Sequence, residues 1–209
     1  MSPDRLERAF FALDTVTVAR ALLGQRLVRV VAGARLGGLI CETEAYAGPD
    51  DPASHAYRRT PRSAIMYGPP GYAYVYFIYG MYFCLNAVTE ADGQPGAVLL
   101  RALLPLEGVE TMRTYRAGVR DTGLTDGPGK LCTALGITGV QNGLDLCTGE
   151  ELFLEAGVPV PDDVVVATPR VGVRGDAGAL YRPWRFVWHP APPGVPPPGA
   201  ANGATLTAG

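Results

Sequence analysis

The chain has 209 residues, 47% hydrophobic and 18% charged, which permits one packed domain and excludes wholesale disorder. Eighteen basic against twenty acidic residues leave a formal net charge of -2, so any binding to nucleic acid needs a local patch rather than a chain-wide field. No apolar run reaches the roughly 18 residues of a membrane span. Residues 1–8 mix both charge signs where a signal peptide would be basic and then apolar, so the expectation is a cytoplasmic protein without a membrane partner. Cys41, Cys84, Cys132 and Cys147 are scattered, and His55 and His189 are the only imidazoles, a spacing that offers no zinc or iron–sulfur set and predicts no metal. Cys41 and Cys84 fall in apolar runs and read as small core residues. Lys130 is the only lysine.

Ser2 and Pro3 read as the cap and first turn of a helix through residues 6–11, and Asp14 as the cap of a second helix stopping at Gly24. Residues 26–31 and 36–45 read as strands around an Ala32-Gly33-Ala34 turn. Pro49, Pro52 and the aspartates between them open a loop that runs to about Arg62. Tyr72, Tyr74 and Tyr76 alternate with Ala73, Val75 and Phe77, a period-two strand with one aromatic face. Residues 82–88 return antiparallel to it, which leaves Ile78-Tyr79-Gly80-Met81 at a hairpin tip. Residues 97–103 form a strand, apolar except for Arg101. Residues 106–120 and 130–135 read as helices, the second closed by Gly136. Residues 152–154, 164–166 and 184–188 read as strands. The span 131–169 carries acidic but no basic residues and is expected to face away from a polyanion. From Pro190 onward the chain is rich in proline, glycine and alanine, without a charge, and is expected to be flexible. One α+β domain is predicted.

Glu42 and Glu44 lie two apart on a strand, so they share a face with Tyr46. Arg101, inside an apolar run, needs a carboxylate partner, and either glutamate would serve. One reading of that pairing is a structural ion pair; the sharper one is a carboxylate set beside an arginine to activate a water. His55 is followed by Arg58, Arg59 and Arg62, the densest positive patch in the chain, which reads as a solvated loop or as a phosphate-binding surface. Cross-strand packing accounts for Tyr72 and Tyr74. It accounts poorly for Tyr79, which has little core to reach at a hairpin tip and suits a wedge that unstacks DNA. Stacking aromatics beside a water-activating carboxylate describe an enzyme that works on an extruded base.

Several motifs in order carry a resemblance. Glu42-Thr43-Glu44-Ala45-Tyr46 with Gly48-Pro49 and His55, the hairpin from Tyr74 to Asn86, Leu99-Leu100-Arg101-Ala102, Gly127-Pro128-Gly129-Lys130-Leu131-Cys132 and Arg170-Val171-Gly172-Val173 all resemble the alkyladenine (3-methyladenine) DNA glycosylase family. The likeness spans about residues 23–187. It implies a single α+β domain over residues 1–189, a mostly antiparallel, curved sheet with short helices around it and a protruding β-hairpin, followed by a tail over 190–209. It also implies a cofactor-free glycosylase whose partner is double-stranded DNA containing damaged purines; nothing in the sequence suggests more than a monomer, and with Lys130 as the single lysine the expectation is a monofunctional enzyme that leaves the strand uncut. The base would be 3-methyladenine or 7-methylguanine, with hypoxanthine and ethenoadenine as further candidates.

Carried over by position, Glu44 resembles the general base, and Arg101 and the Val171 carbonyl the groups that hold the attacking water. Tyr46, His55 and Tyr76 resemble the walls of the base pocket. Asn86 resembles the side chain that disfavours normal guanine, and Tyr79 the residue that fills the emptied stack. Arg58, Arg59, Arg62 and Lys130 are candidates for the DNA backbone. Two rival readings stand beside this one: a non-catalytic module that stacks single-stranded nucleic acid, and a small-molecule glycoside hydrolase using Glu42 and Glu44 as its carboxylate pair.

Overall fold

The computed structural model describes residues 4–190. Eight strands make one antiparallel sheet: β1 (Arg26–Val31), β2 (Ala34–Tyr46), β3 (Ala73–Ile78), β4 (Tyr82–Val88), β5 (Ala97–Glu107), β6 (Leu152–Glu155), β7 (Val165–Thr168) and β8 (Arg185–Trp188). The path runs β3-β4-β5-β2-β1-β6, with β8 on β2 and β7 on β8. Five short helices surround it: α1 (Arg8–Phe11), α2 (Thr15–Ala21), α3 (Val109–Tyr115), α4 (Pro128–Ala134) and α5 (Ala177–Tyr181). The α+β architecture is the expected one.

Local chemistry explains most boundaries. The Asp14 carboxylate caps α2 by accepting from the amides of Val16 (3.1 Å) and Thr17 (3.0 Å). Two expectations need correction. The first helix is a single turn, because residues 4–7 run beside β6 instead: Leu6 N–H donates to the Leu154 carbonyl and Ala156 N–H to that of Asp4. The Ser2-Pro3 cap lies outside the described residues, as does the tail beyond Pro190. The second correction concerns residues 106–120. There β5 continues to Glu107, whose carboxylate is paired with Arg26 and Arg35, and the helix occupies only α3. Sheet pairing and ion pairs outweigh helix propensity at both places.

One face of the sheet is fully covered and the other only in part. Val18 and Ala19 of α2, the capping residue Leu22 after it, and Leu131, Cys132 and Ala134 of α4 join Ala45, Val75, Leu85, Val98 and Leu100 in the main core. The alternate residues of the same strands, Tyr74, Val88 and Ala97, form a second, smaller core with Ala56 and Met66 of the loop between β2 and β3. That second face carries the cavity described below.

The long strand β2 organises both faces. Its first half pairs with β1, its residues Glu42–Glu44 pair with β8, and β5 follows its other edge. The register with β5 passes from Ile40↔Leu103 to Glu42↔Ala102 and then to Thr43↔Leu100. Cys41 on β2 and Arg101 on β5 are therefore extra residues, two opposed β-bulges either side of one pair. Near the start of the same pairing, a Cβ on Gly38 would run into the Leu104 carbonyl group, 2.8 Å from its carbon. Backbone cannot yield as a side-chain tip can. Gly38→Ala is therefore expected to cost about 1–3 kcal/mol, read as a lower midpoint in chemical denaturation; an unchanged midpoint would reject the close approach.

Candidate active site

The register lays the site out in two rows. Glu44, Leu99, Asn86 and Tyr74 are successive partners across β2, β5, β4 and β3. Two residues along the same strands stand Glu42, Arg101, Cys84 and Tyr76. Over these rows opens a cavity of about 510 Å³. Tyr46, His55, Tyr74, Tyr76, Asn86, Leu99 and Arg101 line it, together with the segments 127–130 and 171–174 and the hairpin residues Ile78, Tyr79 and Tyr82.

Glu44 lies beneath that wall, wholly buried. Its Oε1 accepts from the Val171 N–H at 2.6 Å, and its Oε2 accepts from the Tyr46 hydroxyl at 2.7 Å and lies 3.4 Å from an Arg101 Nη1. All three partners are donors, the complement of a carboxylate that only accepts. Burial, then the charge of Glu44, pushes the Tyr46 phenol far above its ordinary range, so it stays a donor. The Glu42 Oε1 accepts from the Nε atoms of Arg101 (2.7 Å) and Arg185 (2.6 Å). The result is an alternating chain, Arg185, Glu42, Arg101, Glu44, in which Arg101 reaches both glutamates rather than one. The amide of Val171, not its carbonyl, is the group seen against Glu44.

The aromatic walls brace one another. The rings of His55 and Tyr76 meet edge to face at 4.7 Å, those of Tyr74 and Tyr76 lie 5.3 Å apart, and the His55 Nδ1 is 2.8 Å from the Tyr74 hydroxyl. Asn86 is buried, and its Nδ2 donates to the Tyr74 carbonyl at 3.0 Å. Tyr79 stands 77% exposed at the tip of the β3–β4 hairpin. Tyr79 and Gly80 both take positive φ, 55° and 69°, in the three-residue loop closed by the Ile78↔Tyr82 pair, where the Met81 N–H donates back to the Ile78 carbonyl. A tyrosine pays strain there that glycine would not.

The basic residues divide. Arg58 and Arg59 are exposed, and Arg59 lies over the Tyr67 ring at 5.0 Å. Arg62 instead braces the wall, 4.8 Å from the Tyr76 ring and donating to the Phe77 carbonyl. Lys130, on the rim, is paired with Asp126 at 2.9 Å. The carboxylates of the acidic span are largely neutralised: Asp145, Glu151, Glu155 and Asp162 pair with Arg8, Arg29, Arg35 and Arg20. Arg174 and Asp51 join or adjoin the cavity without any signal in the sequence, and Leu99, Tyr82 and Arg170, which belong to the motifs named above, do so without a site role expected of them. Burial pushes the Cys41 thiol up to about 12 and that of Cys147 to about 11, which leaves them protonated at neutral pH. Among the described residues, no group of three or more histidine, cysteine or acidic side chains is placed to hold a metal.

Similarity to known proteins identifies the family. A model of the family described as methylpurine-DNA glycosylase matches residues 9–192. The chain belongs to the methylpurine-DNA glycosylase family. It is thereby a DNA glycosylase, a hydrolase of the N-glycosyl bond that takes DNA as its partner. Relatives named "putative 3-methyladenine DNA glycosylase" include one from Anaeromyxobacter dehalogenans, 52% identical over 94% of this chain and 89% of its own. Those from Methanocella arvoryzae and Alkaliphilus oremlandii are 49% and 47% identical, each over 87% of this chain and at least 90% of their own. No helix of the described residues is long and apolar enough to cross a membrane.

Burial and then the charge of Arg62 hold the His55 imidazole below its ordinary value of 6.5. The unfolded chain therefore takes up the proton first, and stability conferred by neutral His55 is complete above pH 6.5 and falls as the pH drops through the folded-state value. His55 keeps much of its surface open, so screening makes the slope shallow. In this glycosylase the melting temperature should fall more steeply below pH 6.5 than in His55→Gln. Parallel curves would assign the acid sensitivity elsewhere.

Proposed function

We propose that this glycosylase turns alkylated purines, 3-methyladenine and 7-methylguanine above all, out of duplex DNA and hydrolyses their glycosidic bond, with Glu44 as general base. The observation that carries the reading is the meeting of Glu44, Arg101 and the Val171 backbone beneath a cavity walled by Tyr46, His55 and Tyr76. The cavity volume is that of an ordinary small-ligand site. Alkylation at a ring nitrogen puts positive charge on the purine, which weakens its bond to the sugar and favours stacking on electron-rich faces. One carboxylate then suffices: Glu44 takes a proton from a water held by Arg101 and the Val171 backbone, and the purine leaves as a good leaving group. Neutral lesions such as hypoxanthine and ethenoadenine would need a proton on the departing base, and are the weaker substrates in this reading. Asn86 meets the purine edge and excludes guanine.

Tyr79 fills the gap left in the stack, its exposed ring leading the hairpin into the groove. Arg58, Arg59 and Arg62, with Lys130 at the cavity, hold the backbone of the damaged duplex. The protein acts as a monomer and opens base excision repair by leaving an abasic site.

Glu44→Gln should fold and bind damaged duplex nearly as the native protein does, yet release base at least about a hundredfold more slowly. Glu42→Gln should be milder, since Glu42 touches Arg101 and Arg185 rather than the Glu44 wall. The measurement is base release from duplexes carrying each of the four lesions; a Glu42→Gln protein more impaired than Glu44→Gln would reverse the assignment, and full binding without any release in the native protein would favour a stacking module.

The product should be an intact strand. Strand-cutting glycosylases attack the sugar with an amine and form a Schiff base. The single lysine, Lys130, is tied to Asp126 by an ion pair. Treatment with borohydride during turnover should trap no protein–DNA adduct, and the strand should break only in alkali; an adduct lost in Lys130→Ala would make Lys130 a nucleophile.

A further inference from the structure

A charged pair sits wholly inside the protein beside the cavity. Arg170 grips Asp51 through two nitrogens, Nη1 to Oδ2 at 2.5 Å and Nη2 to Oδ1 at 2.8 Å, and neither side chain has any exposed surface. The same guanidinium donates to the carbonyls of Ala45 (2.9 Å) and Ala179 (3.1 Å) and lies over the Tyr46 ring at 4.8 Å. Asp51 in turn accepts from the Ala53 amide, at the start of the turn that leads into His55.

Burying such a pair is a poor way to gain stability, because desolvation consumes most of the attraction, and the Arg170 Nε finds no acceptor among the described residues. What the pair does achieve is geometric. It locks together the end of β2, the loop of His55, the segment that starts at Arg170, and α5. The residue after Arg170 is Val171, whose amide is 2.6 Å from Glu44, and the ring beneath the guanidinium belongs to Tyr46, the other donor to Glu44.

We infer that the Asp51–Arg170 pair is a positioning device for Glu44, setting both the Val171 amide and the Tyr46 hydroxyl against its two oxygens. This rests on the reading of Glu44 as general base. Neither member touches the reacting atoms, so their removal should slow the chemistry through Glu44 and leave the binding of DNA alone.

The test combines two variants, Arg170→Lys and Asp51→Asn, each alone and with Glu44→Gln. Single-turnover release of 3-methyladenine from methylated duplex is measured beside the affinity for an abasic duplex and the thermal transition. Each single variant should release base roughly ten- to a hundredfold more slowly, with abasic-duplex affinity within about twofold of native. In the Glu44→Gln background the same changes should add less than about twofold, since the group they position has lost its function. A full additional loss in that background, or a native rate in both single variants, overturns the inference while leaving Glu44 as base. Release by Glu44→Gln at the native rate overturns the general-base reading and this inference together. Loss of the cooperative thermal transition in both variants would make the pair a brace of the fold, and would likewise overturn it.

Discussion

The placement of Arg101 between two glutamates is the constraint on which the site depends. An arginine in the middle of a central strand, open only to the cavity and otherwise enclosed, needs carboxylates at hand before the strand can hold it. Ordinary antiparallel pairing would set Arg101 directly opposite one residue of β2. The opposed bulges at Cys41 and Arg101 instead leave it unpaired in the register, so that its guanidinium meets Glu42 through Nε and Glu44 through Nη1. Arg185 then completes the neutralisation from β8. Because the second bulge restores the register offset lost at the first, the rows that carry Tyr74, Tyr76, Cys84, Asn86 and Leu99 stay in phase with β2.

That phase relation divides the labour between faces. Helices α2 and α4 seal one face with aliphatic side chains, which supplies the main core and leaves the sheet rigid. The opposite face is only partly covered, by the loop that carries His55 and Met66, and the uncovered remainder is the cavity. The proposed base is on a central strand, buried and hydrogen-bonded on both oxygens, while the groups proposed to reach DNA are on the hairpin, the loop after β2 and the first turn of α4. A rigid strand for the reacting group and adjustable segments for the partner is the division expected of a site that needs precise geometry.

Much of this was legible in the sequence, and the parts that were not have a common reason. The alternating tyrosines of β3, the return through Asn86 and the hairpin tip follow from period-two patterning, and Glu42 and Glu44 on one face follow from the same rule. The overlong α3 shows the limit: residues 106–107 have acceptable helix propensity, but Glu107 is drawn into the sheet by Arg26 and Arg35, far away in the chain. The bulge at Arg101 has no local signal, since a register shift is a property of two strands together. Asp51 looked like one more aspartate in a proline-rich loop; only the fold brings it to Arg170, well over a hundred positions later.

The same distance in sequence hides how the charge is distributed. A net charge of -2 suggests a weak hold on a polyanion, yet ten of the seventeen arginines are spent on ion pairs within the protein. What remains open near the cavity is a short set of basic side chains, Arg58, Arg59 and Arg174, with Arg62 half committed to the Tyr76 wall. With few phosphate contacts, electrostatics would contribute little to specific recognition, and each contact would be lost readily with salt. On the proposed function, discrimination then falls to the cavity: a duplex would be held firmly only where a base can leave the stack cheaply and sit between the aromatic walls, which would favour a weakly stacked or mispaired damaged purine over an intact one. The scarcity of free arginines and the abundance of wall tyrosines are thus two sides of one arrangement, in which weak general attachment leaves the pocket to decide.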